Sequence, residues 1–90
     1  MIEKMVTVQN RLGFHARAAA MFAKEAERFS STVEVEKNGM RVNGKSIMGL
    51  LMIPAPFGTQ IKIIVKGSDE EICAESLARF VESGFEEDGA

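Results

Sequence analysis

Ninety residues, 46% hydrophobic and 27% charged with a formal net charge of −2, make one domain's worth of chain with room for a core and a surface site; a two-domain enzyme is excluded. No apolar run approaches the ~18 residues of a transmembrane helix, and residues 1–8 alternate and carry Glu3 and Lys4, so no signal peptide is read and a cytoplasmic protein without membrane insertion is expected. A single cysteine, Cys73, and a single histidine, His15, exclude a disulfide within the chain and a Cys/His zinc site, so no metal is expected.

In chain order, residues 5–9 alternate Val6 and Val8 with Thr7 and predict a short strand, followed by a loop at residues 10–14. Over residues 16–29 the apolar stripe Ala19, Phe22, Ala23, Ala26 and Phe29 recurs at three- and four-residue spacing, with Lys24, Glu25, Glu27 and Arg28 between, which predicts an amphipathic helix. Val33 and Val35 alternate with Glu34 and Glu36 in a second strand. Asn38-Gly39 then predicts a hairpin turn into a third strand at residues 40–42, because both residues tolerate positive φ. A second pair, Asn43-Gly44, closes that strand. Residues 46–53 read as a short helix stopped by Pro54 and Pro56. Ile61, Ile63 and Val65 share one face of a fourth strand over residues 60–66. Ser68-Asp69-Glu70-Glu71 reads as a capping box opening a last helix that turns Cys73, Leu77, Phe80 and Val81 inward. That helix is expected to end at Gly84, with Phe85 packing back onto it.

The order β-α-β-β-α-β-α, with one-sided strands, predicts an α+β open-faced sandwich: an antiparallel sheet with helices on one face. A ferredoxin-like arrangement shares most of this order, so the pattern alone leaves the strand order open.

Charge is unevenly distributed. Residues 1–68 carry +5 and residues 69–90 carry −7, where Arg79 stands against eight acids. The plain explanation is a solvated acidic helix and tail; the sharper one is a basic region facing an acidic partner or a phosphate. There is no Trp or Tyr to stack on bases, so nucleic acid is not an expected partner. The glycines form no GxGxxG or Walker pattern, and no cofactor is expected.

Chemistry is expected at His15, which precedes the first turn of the first helix. The unpaired N–H groups of such a turn receive an anion. Arg17 can place a guanidinium beside a phosphoryl group on the imidazole, and Gly13, Ala16 and Ala18 leave space around it. The bland alternative is a surface histidine filling a loop. Ser46 is expected to cap the short helix, a place where a phosphate would also be favoured. If Leu50 and Ile53 of that helix face the sheet, Ile47, Met48 and Leu51 point outward as a docking patch; the alternative is a wider buried stripe. Cys73 reads as core filler.

The segments Leu12-Gly13-Phe14-His15-Ala16-Arg17-Ala18-Ala19 and Asn43-Gly44-Lys45-Ser46-Ile47-Met48-Gly49-Leu50-Leu51-Met52 resemble the HPr family, the histidine phosphocarriers of the bacterial phosphoenolpyruvate-dependent sugar phosphotransferase system. The likeness runs nearly end to end, and implies residues 1–90 as a single HPr-type domain with strand order 1-4-2-3. It implies a carrier, not an enzyme. His15 would accept a phosphoryl group on Nδ1 from phosphorylated Enzyme I and donate it to Enzyme IIA domains, with Arg17 steadying the phosphohistidine. It also implies Ser46 as the site of an HPr kinase/phosphorylase, and a docking patch of Ile47, Met48 and Leu51 with Ala20 and Lys24 on the neighbouring helix. A monomer is expected. The family usually has proline where this chain has Ala18, which predicts a slightly looser first turn. The tail Ser83-Gly84-Phe85-Glu86-Glu87-Asp88 is also similar to NPr, the nitrogen-branch paralogue, so that branch and a mainly regulatory binding module acting through Ser46 stand as alternatives.

Overall fold

The architecture follows from one apolar row shared by four strands. In a computed structural model that describes residues 1–85, β1 (Ile2–Thr7), β2 (Thr32–Lys37), β3 (Met40–Asn43) and β4 (Gln60–Lys66) form an antiparallel sheet ordered β1-β4-β2-β3. Val65 lies opposite Ile2 and Val33, Ile63 opposite Val35, and Ile61 opposite Val6. These side chains face α1 (Ala16–Glu27), α2 (Ile47–Leu51) and α3 (Glu70–Glu82), and the buried cluster includes Ala19, Phe22, Ala26, Leu50, Cys73, Leu77 and Val81. The open-faced sandwich is present as expected, and the strand order excludes the ferredoxin-like alternative.

The opposite face is polar. Arg41 bonds both Glu34 and Glu36 at 3.4 Å, and Lys62 lies 3.6 Å from Glu3. Ile64 is nevertheless buried on that face, opposite Glu3 and Glu34, because a central strand is shaded by long side chains from both neighbours.

Local signals set most element ends. Asn38 and Gly39 have φ of 52° and 84°, the two-residue turn expected of them. Gly44 has a different purpose: a Cβ there would lie 2.5 Å from Val33 Cγ1, so the glycine permits close packing on β2. At the end of α3, Gly84 N–H bonds Val81 O and Phe85 N–H bonds Phe80 O, a Schellman motif that buries Phe85 fully.

Four expectations are corrected. α1 ends at Glu27, not at residue 29, so Phe29 packs on the core from just beyond the helix, its N–H bonding Ala26 O in a tighter turn. β1 begins at Ile2, not at residue 5, because Ile2–Thr7 pair in register with Val65–Gln60; Val8 continues the contact by bonding Thr59 and Gly58. α2 stops at Leu51, after which Met52 and Ile53 make tighter three-residue bonds, since the residue before Pro54 is steered away from helical ψ. The capping box at Ser68 does not form. Asp69 stands at the helix entry, and its carboxylate accepts instead from the Ser30 and Ser31 N–H groups at 3.0 Å and from the Ser31 hydroxyl. Those bonds hold the Asp69 carboxyl below the usual aspartate range. Glu70, the first helical residue, accepts the Gly67 N–H at 3.0 Å and so ties the preceding turn to the helix. The acidic residues Glu86, Glu87 and Asp88 of the NPr-like tail lie outside the described residues.

Candidate functional site

The site begins with a loop forced into shape before α1. Gly13 takes φ of +64°, and its carbonyl accepts from Asn10 Nδ2 at 2.8 Å and from the His15 N–H at 2.9 Å. Any Cβ on Gly13 would lie 1.9 Å from the Ala55 carbonyl oxygen, so the residue must be glycine on two counts. Phe14 turns inward and is pinned between Phe22, 5.5 Å away edge-on, and Phe85, 5.1 Å away. The chain then emerges at His15 with extended backbone (φ −81°, ψ 177°) as the residue before the helix. Its carbonyl accepts the Ala19 N–H at 2.9 Å, while its side chain does not cap the helix and is partly exposed.

The first turn of α1 contains no acid and presents an exposed Arg17 beside Ala16 and Ala18. The N–H groups of that turn lack intrahelical acceptors and carry the positive end of the helix dipole. The turn therefore offers unpaired amides and an exposed guanidinium to an anion. Ala18 itself is fully buried, so the position where the family usually has proline lies on the core side of the helix.

Ser46 is placed by the turn after β3. Its Oγ accepts the Gly49 N–H at 3.0 Å, and its carbonyl accepts from Leu50 at 3.0 Å, so it caps α2 as expected. Leu50 and Ile53 are buried, while Ile47 and Leu51 are each 44% exposed and Met48 78%. The outward patch is therefore present, and the wider buried stripe is not. On α1, Ala20 is partly exposed and Lys24 exposed.

Two residues of this surface were not singled out from the sequence. Leu12 (73% exposed) precedes Gly13, and Phe57 (62% exposed) follows the Ala55–Pro56 backbone that Gly13 touches. A large apolar side chain next to a glycine or proline in a loop was the available signal. Cys73 is fully buried, and burial first, then the Asp69 charge, pushes its thiol up to about 11, as befits core filler. Among the described residues, no three His, Cys, Asp or Glu side chains are gathered to hold a metal ion, and no helix is long and apolar enough to cross a membrane.

Comparison with known proteins gives this geometry a family. The family model described as the PTS HPr component phosphorylation site matches residues 2–83. The HPr-like protein Crh of Halalkalibacterium halodurans is 45% identical over 82 residues, covering 91% of this chain and 98% of that one. Phosphocarrier protein HPr of Neisseria meningitidis is 42% identical over 87 residues, covering 97% and 98%. Among solved structures, HPr-C-His from Thermoanaerobacter tengcongensis superimposes with a TM-score of 0.91 at 40% identity, covering 98% of this chain and 99% of that one. An HPr dimer from the same organism gives 0.75 at 40% identity, covering 97% and 100%. The chain belongs to the HPr family of phosphocarrier proteins, which carry a phosphoryl group without being enzymes.

Proposed function

We propose that this chain is a single-domain, cytoplasmic phosphocarrier of sugar uptake, in which His15 Nδ1 takes a phosphoryl group from phosphorylated Enzyme I and passes it to Enzyme IIA domains. The observation that supports this reading best is His15 at the acid-free N-terminus of α1 with Arg17 in the same turn. The amides there stabilise a dianion without moving, and the Arg17 guanidinium supplies planar, two-point contact to phosphate oxygens. Ile47, Met48 and Leu51, with Ala20 and Lys24, serve as the docking patch. Met48, unbranched and polarisable, adapts to differently shaped partners at little cost.

A second reading, a mainly regulatory protein modified at Ser46 by an HPr kinase/phosphorylase, is favoured by the 45% identity to Crh. The cap geometry of Ser46 is compatible with it. The presence of both His15 and Arg17 supports the first reading, with Ser46 modification as its control; sugar permease genes as neighbours would favour uptake and a kinase gene alone would favour regulation. The reading takes the working form as a monomer. Light scattering at the concentration of the transfer assay separates that from a dimer of the Thermoanaerobacter kind.

The test is incubation with phosphoenolpyruvate and a generic Enzyme I, followed by intact mass. One phosphoryl group is expected, acid-labile and stable in base as a phosphoramidate is, and absent from His15→Ala. Persistent labelling of His15→Ala refutes the carrier reading.

A further inference from the structure

Lys37 does not end its strand as an ordinary surface lysine. Alternation places Val33, Val35 and Lys37 on the covered face of β2, with Glu34 and Glu36 on the open face. Pairing of β2 with β4 stops at Glu36 and Lys62, so Lys37 lies one residue past it with no β4 partner beside it. Its side chain is partly buried, and Nζ donates to the carbonyl oxygen of Pro54. Its own base is firm, because Lys37 pairs with Met40 across the Asn38-Gly39 turn.

Pro54 belongs to the segment on which the His15 loop rests. Neither Pro54 nor Pro56 has an N–H to tie this segment to a strand. The peptide between them lies directly against Gly13, where a Cβ would sit 1.9 Å from Ala55 O and 2.8 Å from Ala55 C. Gly13 in turn holds the His15 N–H. A short path of contacts thus runs from the β2–β3 hairpin through Lys37, Pro54, Ala55 and Gly13 to His15.

We infer that Lys37 is a positioning residue for His15: its ammonium anchors the Pro54–Ala55 backbone that supports the His15 loop. The inference rests on the phosphocarrier reading for its kinetic consequence and on geometry alone for its structural one. The test compares Lys37→Met, which keeps the stem and removes the donor, with Lys37→Arg, which keeps a cationic donor. NMR follows the amides of Gly13 and Ala55 and the imidazole of His15, and transfer from Enzyme I is timed in parallel. Lys37→Met should move all three sets of resonances and lower the kcat of Enzyme I acting on this chain by about 3–10-fold with its KM for the chain within about twofold, since a small misplacement of a reacting group is felt in the chemical step. Lys37→Arg should restore both measures to within about twofold of wild type. Unmoved resonances in Lys37→Met, or a loss confined to KM as for a direct contact with the partner, overturn the inference. If wild type accepts no phosphoryl group, the carrier reading falls, and the resonances still decide the role of Lys37.

Discussion

Replacing Ser46 separates its capping from the regulatory role proposed for it, because alanine and aspartate differ in capping and in charge. The Ser46 Oγ bond to the Gly49 N–H is 3.0 Å long and closes a helix of only five residues. Removing such a cap costs about 1 kcal/mol. With an unfolding entropy of about 2.1 cal/mol/K per residue, a chain of 90 residues loses roughly 5 °C of Tm for that cost. Ser46→Ala should therefore melt about 5 °C lower. Ser46→Asp keeps an acceptor at the cap and adds a negative charge to a first turn that has no acid, worth about 0.3–1 kcal/mol. Its Tm should lie between the wild-type value and about 5 °C above it.

Transfer should show the opposite order. Aspartate sets a charge beside the exposed Ile47, Met48 and Leu51, so phosphorylation of His15 by Enzyme I should slow in Ser46→Asp and not in Ser46→Ala. The slowing should shrink as salt is raised, since exposed charges are screened within about 8 Å at physiological ionic strength. Circular-dichroism melting and timed intact mass make the two measurements. If Ser46→Asp melts as low as Ser46→Ala, the capping argument is wrong. If its transfer rate equals wild type at low salt, Ser46 is a cap and nothing more.

Arg17→Lys should slow transfer while leaving Tm unchanged, because the charge stays and the two-point planar geometry goes; a sharp fall in Tm would show Arg17 to be structural. Gly13→Ala should cost roughly 1–2 kcal/mol for the left-handed backbone alone and more for the collision with Ala55, so thermal melting should fall by at least 5–10 °C. Asp69 binds its proton less readily in the folded state, so its contribution to stability is complete above the ordinary aspartate range near 3.8 and fades as pH falls through its lower folded value. Denaturation at a series of acid pH values should show that loss in wild type and a flatter profile in Asp69→Asn.

The parts of this protein legible in its sequence are those decided within a few residues. The stripe of α1, the Asn38-Gly39 turn, the Ser46 cap and the Gly84–Phe85 ending each depend on backbone preferences and neighbours on the same turn, and each stands where periodicity and turn chemistry place it. His15 before a helical turn was equally a local fact, and the likeness to the HPr family supplied the strand order that pattern left open. Tertiary structure decided whatever has its partner far along the chain. β1 starts at Ile2 because Val65 is there to pair with it, and Ile64 is buried on the polar face because two neighbouring strands shade it. Asp69 serves Ser30 and Ser31 instead of its own helix, and Lys37 ends at Pro54, because folding sets those carbonyls, amides and charges side by side while sequence distance hides them. Hydrogen bonding and burial reward proximity in space, and only the closed fold specifies that.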